Sequence, residues 1–164
     1  MKLGNQVEWA IHCMELLARV PSEIYVPTKV LAKFHGIPKE YLSKAMQLLA
    51  QAELVEGTLG PKGGYRLAKA PSKISLLDIV EAIEGKKMTF NCQEIRFNNP
   101  CLKKEHKQKG TTCMIASAMF QADEAWRSVL RKKKLSHIVS EIDKEVPAII
   151  FELSEDWMNQ ELFS

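Results

Sequence analysis

Residues 26–67 read VPTKVLAKFHGIPKEYLSKAMQLLAQAELVEGTLGPKGGYRL, and no other stretch limits the fold so tightly. It opens with two short helical patterns. In the first, Thr28 can act as N-cap, leaving Val30, Leu31 and Phe34 on the buried side. Gly36 supplies the positive φ that ends it. Pro38 starts the second, where a missing N–H costs nothing because first-turn amides have no intrahelical partner. Leu42, Ala45, Met46 and Leu49 then recur at helical spacing and face inward, leaving Lys39, Tyr41, Ser43, Lys44 and Gln47 outward. Glu53-Leu54-Val55-Glu56 reads as a short strand, Gly60-Pro61-Lys62-Gly63-Gly64 as a turn, and Tyr65-Arg66-Leu67 as the return. Helix, turn, helix, hairpin is the order of a winged helix-turn-helix, which lays its second helix in the DNA major groove. A helical pair with a bare hairpin and no ligand is the alternative. The tip argues against it, since three glycines allow close backbone approach to a phosphate and Lys62 adds charge at the apex.

Around this module the sequence predicts a mostly helical chain. Val7 to Val20 is an amphipathic helix, with Val7, Ala10, Ile11, Met14, Leu17 and Ala18 as its apolar stripe. Glu8, His12, Glu15 and Arg19 share another face. That face is either solvated or, through Glu8 and His12 one turn apart, able to reach a shared metal. Cys13 falls on the apolar side as a small buried hydrophobe. Ser75 opens a further helix with Asp78 in capping-box position, and Gly85 closes it. From Cys113 a long helix runs to about residue 134, with Ile115, Ala118, Met119, Ala122, Trp126, Val129 and Leu130 in period. Its basic end, Arg131 to Lys134, suits the negative pole of the helix dipole. Ser136 is placed to cap one more short helix through Ile142, and the tail from Pro147 reads as a small helix or loose chain. The expected division is a DNA-binding domain over 1–85, a cysteine-bearing segment over 86–113, and a dimerisation helix with tail over 114–164.

Composition narrows the function. No apolar run in the 164 residues approaches the 18 needed to span a bilayer. No apolar h-region follows Met1-Lys2-Leu3, so a cytoplasmic protein is expected. Four cysteines in such a chain point to metal or redox chemistry before disulfides. Residues 1–75 carry 10 Lys/Arg against 6 Asp/Glu, and residues 76–164 carry 13 against 14. The positive surplus thus lies with the predicted DNA module. The segment 86–113 has little periodicity and holds Cys92, Cys101 and Cys113, spaced C-x8-C-x11-C. That is too wide for a zinc knuckle. Long irregular segments in compact domains tend to be functional, and Lys103, Lys104, Lys107 and Lys109 would favour thiolate. Three incidental thiols are the other reading.

The run GIPKEYLSKAMQLLAQAELVEGTLGPKGGYRLA, with ISLLDIVEAIEG after it, resembles the Rrf2 family of bacterial transcription regulators, over roughly residues 1–135. GPKGGYRL is its most specific part, and Pro38 stands where a serine cap is common. The resemblance implies a homodimer that binds a palindromic double-stranded operator, with the long helix paired across the dimer and no enzymatic or membrane role. Outward phase and resemblance together name Thr28, Lys39, Tyr41 and Lys44, with Leu59, Pro61, Lys62 and Gly63 on the wing, as DNA contacts. The opening VEWAIHC looks like a redox-responsive branch in which a [2Fe-2S] cluster spans the dimer. The matching ligands are Cys92 and Cys113 from one subunit and Glu8 and His12 from the other. Imidazole on iron raises the reduction potential, as in Rieske centres. Cys101 is then spare or exchangeable, and a [4Fe-4S] site of three cysteines and one carboxylate is the alternative ligand set. Two competing functions remain: a cluster-free regulator sensing through thiol oxidation or a partner protein, and an electron carrier or enzyme, for which no motif is present.

Overall fold

The protein, a computed structural model, is described over residues 2–103 and 110–164. Helices α1 (Asn5–Arg19), α2 (Thr28–His35) and α3 (Lys39–Gln51) lead into strands β1 (Val55–Thr58) and β2 (Gly64–Leu67). After a 3-10 turn at Pro71–Lys73 come α4 (Leu76–Glu84), the cysteine segment, α5 (Met114–Lys132), α6 (Leu135–Glu145) and α7 (Ala148–Phe163). Among the described residues the fold is mostly helical with one antiparallel hairpin, as expected.

The core forms where α1 meets its neighbours. Ala10, Cys13 and Met14 of α1 are fully buried against Leu42, Met46 and Leu49 of α3. α1 also packs on α2, α4, α6 and β2, and α4 packs on both α3 and α5. Gly36 adopts φ 63 and returns its amide to α2 carbonyls, so the chain leaves the helix in a left-handed turn.

The wing is more than a hairpin. β1 and β2 pair Val55 with Leu67 through to Thr58 with Gly64. Val26, just before α2, adds a third short pairing, with Val26 N–H to Tyr65 O at 2.8 Å and Tyr65 N–H to Val26 O at 2.9 Å. A Cβ on Gly64 would lie 2.3 Å from Val26 O, and one on Gly63 would lie 2.5 Å from Thr58 O. Both glycines are therefore demanded by the wing's own backbone. Gly60, at φ 99 with open space around it, makes the turn itself.

Several expected boundaries move. Thr28 is the first helical residue of α2, not its cap; Pro27 holds the cap position and no side chain bonds the first turn. Extended geometry at Pro27 already fixes the entry, so a hydroxyl acceptor is not needed. Glu53 is not strand: it sits at φ 56 just past α3, its amide bonded to Ala50 O, and β1 starts two residues later. α6 is capped at Lys134, so Ser136 lies within the first turn. The basic run before it is only partly solvated. Lys133 pairs with Glu141, and its carbonyl accepts from Leu76 N–H at 2.9 Å. The tail is a sixteen-residue helix rather than loose chain. α7 lies on α2, with Trp157 edge-on to Phe34 at 5.4 Å, an ion pair between Lys33 and Glu161, and Met158 buried.

α4 starts at a complete capping box. Ser75 Oγ accepts from Asp78 N–H at 3.1 Å, and Ser75 N–H donates to Asp78 Oδ2 at 2.8 Å. Ser75 is itself buried, so its hydroxyl cannot turn to water. Ser75→Ala should lower stability by about 1–2 kcal/mol. A reduced urea midpoint with unchanged slope is the expected result; an unchanged midpoint would mean the box is not needed.

Candidate nucleic-acid interface and thiol site

The buried stripe of α3 leaves its other face in solvent. Lys39, Tyr41 and Lys44 are all exposed, while the Ser43 hydroxyl is turned back onto Lys39 O at 2.8 Å. At the wing tip Leu59 is 99% exposed, Pro61 and Lys62 are exposed, and Gly63 is half-buried. Thr28 is half-buried at the start of α2. The predicted contacts thus divide into an outward helix face, an outward tip, and Thr28 at a helix start. Two rings join this face to α1. Trp9 lies 6.5 Å from Tyr41 between centroids, and His12 lies 5.7 Å from His35 of α2. Burial first, and His12 second, push the His35 imidazole down to about 4, so it stays neutral at physiological pH.

The cysteine segment folds back on itself. Arg96 holds its two limbs, binding Glu94 at 2.8 Å on one side and the Thr111 carbonyl on the other. Within this fold Cys92 comes close enough to Cys113 to favour its thiolate. Cys113 occupies the N-cap of α5. The Ala116 amide chiefly, helped by the Ile115 amide, Cys92 and Arg96, holds its thiol below the usual range against opposing desolvation. The thiolate is favoured here by a helix N-terminus. Lys103 is exposed, and Lys104, Lys107 and Lys109 lie outside the described residues. Cys101 is exposed, its amide bonded to Asn99 Oδ1 at 2.9 Å. Cys13 is buried as expected, and burial pushes its thiol up to about 12.

Glu8 and His12 are both exposed on α1. Among the described residues no three His, Cys, Asp or Glu side chains of one chain come together as a metal site. Two of the four predicted ligands converge; the carboxylate and imidazole do not join them within the chain. The donor chemistry still suits an iron–sulfur group, since two adjacent thiols, one already inclined to thiolate, make half of such a site.

Sequence reasoning passed over Arg96, for which spacing carries no signal. It also passed over Asp123 and Arg127, which the i, i+4 spacing within α5 could have revealed. Asp123 is buried, bound by Arg127 Nε at 2.8 Å, and Arg127 Nη1 also reaches Glu81 of α4 at 2.6 Å.

A family described as Rrf2, iron-dependent transcriptional regulator, matches residues 3–141. The chain is 24% identical over 160 residues to the putative HTH-type transcriptional regulator YwgB of Bacillus subtilis, covering 96% of this chain and 95% of that one. Among solved structures it is similar to CymR, the global cysteine regulator of B. subtilis, with TM-score 0.66 and 20% identity over 86% of this chain and 98% of that one. It is also similar to T. potens IscR, with TM-score 0.65 and 22% identity over 90% and 93%. These structural likenesses concern the fold.

Alkylation tests the thiol environments. In the native protein the Cys113 rate should titrate with a midpoint below 9, the ordinary thiol value, and move up in urea, while Cys13 should react only after unfolding. Peptide mapping after iodoacetamide reads both. Coincident native and denatured midpoints for Cys113 would remove the helix-terminus explanation.

Proposed function

Since this chain belongs to the Rrf2 family of DNA-binding transcriptional regulators, which are not enzymes, we propose that it is a homodimer whose hold on operator DNA is set by an iron–sulfur cluster at Cys92 and Cys113. The observation that carries this reading is the meeting of those two thiols at the N-terminus of α5. Glu8 and His12 of a second subunit complete a [2Fe-2S] site, because neither reaches the thiols within one chain and both face solvent. The family's description as iron-dependent fits. When bound, the group supplies a one-electron change of charge at the subunit boundary. A site of three cysteines with one carboxylate, including Cys101, is the alternative ligand set for [4Fe-4S].

The long helix supports the dimer. Beyond Ala116 and Asp123, α5 keeps Ile115 69% and Val129 67% exposed, with Met119 and Phe120 open as well. An apolar stripe of this length is the expected seam for a second copy. Two α3 helices then face a palindrome, with Lys39, Tyr41 and Lys44 in the major groove and Leu59, Pro61, Lys62 and Gly63 against the adjoining backbone. Thr28 begins α2 where the first-turn amides have no side-chain acceptor, a place that suits a phosphate oxygen. The division into 1–85, 86–113 and 114–164 becomes DNA module, sensing segment and assembly helix. A cytoplasmic location follows from the role on DNA, and among the described residues no helix is long and apolar enough to cross a membrane.

The same thiol pair favours one other reading: a cluster-free regulator in which Cys92 and Cys113 are oxidised directly. Anaerobically purified protein separates the two, since only a bound cluster absorbs visible light, and native mass spectrometry gives dimer and cluster mass together. Cys92→Ala and Cys113→Ala should each give colourless protein. Cys101→Ala should stay coloured, and His12→Ala should have a labile or shifted spectrum. A colourless Cys101→Ala beside an unaltered His12→Ala would replace the mixed site with the three-cysteine one.

Lys62→Ala should weaken binding to duplex DNA about uniformly across sequences and reduce the magnitude of the log–log salt slope by about one. Unchanged affinity and slope in a salt titration would detach the wing from the interface.

A further inference from the structure

The buried charges of α5 have no part in the cluster or DNA sites, yet they hold three elements at one point. Arg127 Nε binds Asp123 Oδ2 at 2.8 Å within α5, and Nη1 binds Glu81 Oε1 at 2.6 Å from α4. Nη2 donates to the backbone carbonyl of Lys87, at the base of the cysteine segment. Each guanidinium nitrogen thus serves a different element. The side chains are withdrawn from water: Asp123 is 1% exposed, Arg127 12% and Glu81 19%. Arg127 first, helped by Thr89 of the segment and against opposing desolvation, keeps the Asp123 carboxyl below its ordinary range, so that carboxylate stays ionised.

The position of this knot matters as much as its chemistry. Lys87 lies five residues before Cys92, and Asp123 lies on the helix that Cys113 caps. α4, on the other side, packs directly on α3 and α1. A rigid fork with three fixed directions passes a shift at one arm to the others. A lysine, a single flexible point charge, would not. We propose that Arg127 is the positioning residue that ties the cysteine segment to α4, and through α4 to the recognition helix. The inference rests on the reading of segment 86–113 as the sensing element, but not on which group it senses.

The test reads a response, not a resting stability. Full-length, reduced, cluster-free protein is treated with N-ethylmaleimide, which modifies the segment's thiols and leaves buried Cys13 untouched. Hydrogen exchange is then compared before and after, peptide by peptide, in the wild type, Arg127→Lys and Glu81→Gln, with circular dichroism confirming the fold. In the wild type, modification should change exchange in α4 (76–84) as well as in the segment. In both variants the segment should still change, and the α4 response should be lost. Glu81→Gln removes only the α4 arm at the knot's outer edge, so it keeps the test alive if Arg127→Lys is poorly folded. A wild type in which α4 does not respond, or a folded variant that responds as the wild type does, overturns the proposal. Failure of the cluster reading would appear separately, as colourless wild-type protein whose α4 still answers to thiol modification.

Discussion

The apolar face of α1 has to be covered along its whole length, and the rest of the molecule is arranged to do it. Ala10, Cys13 and Met14 are fully buried, and Val7, Leu16 and Leu17 nearly so. No single helix can cover such a stripe, so α3, α4 and α6 each take part of it. Burying a side chain the size of Val, Leu or Met is worth about 1.5–3 kcal/mol, more than a typical surface ion pair. Fixing α1 in this way turns its opposite face outward, and that face carries Glu8 and His12. Trp9 and His12 meanwhile meet Tyr41 of α3 and His35 of α2. The helix that anchors the core is therefore also in contact with the ring-bearing sides of α2 and α3.

α5 is held by a different force. It fully buries Ala116 and Asp123, half-buries Trp126 and Leu130, and leaves Met114, Ile115, Met119 and Val129 exposed. Where it meets α4, it is held by the Asp123–Arg127–Glu81 knot. Such a cluster is stable only while every partner is present, and breaking a buried pair costs about 3–5 kcal/mol. The arrangement leaves much of the outer face of the long helix apolar and makes it polar where it meets α4.

The wing owes its shape to backbone crowding. Gly63 and Gly64 admit Thr58 O and Val26 O at distances no side chain would tolerate. A glycine-rich tip written in a sequence suggests approach to phosphate. Here most of that freedom is used inside the fold, and only Gly60 stands open. The side chains left exposed at the tip are those of Leu59, Pro61 and Lys62.

The sequence by itself determined the local elements whose causes are local. Helical spacing placed the buried faces of α1 and α3. Gly36 ended α2, Ser75 with Asp78 opened α4, and the GPKGGYRL run announced the wing. Each of these depends on residues within a turn or two of one another. The sequence placed Thr28 as a cap and Glu53 in a strand because it weighed local propensity alone. Pairing of Val26 with Tyr65, and a left-handed turn at Glu53, override that propensity. It also left α7 undecided, since what fixes that helix is Trp157, Met158 and Glu161 seated on a partner more than a hundred residues away in the chain. In the site, the cysteines and the α1 pair were legible as candidates from their chemistry. That Cys92 and Cys113 meet while Glu8 and His12 stand apart from them was not. Convergence across a long irregular segment depends on Arg96 bridging its limbs, and a lone arginine carries no signal until the chain has folded around it.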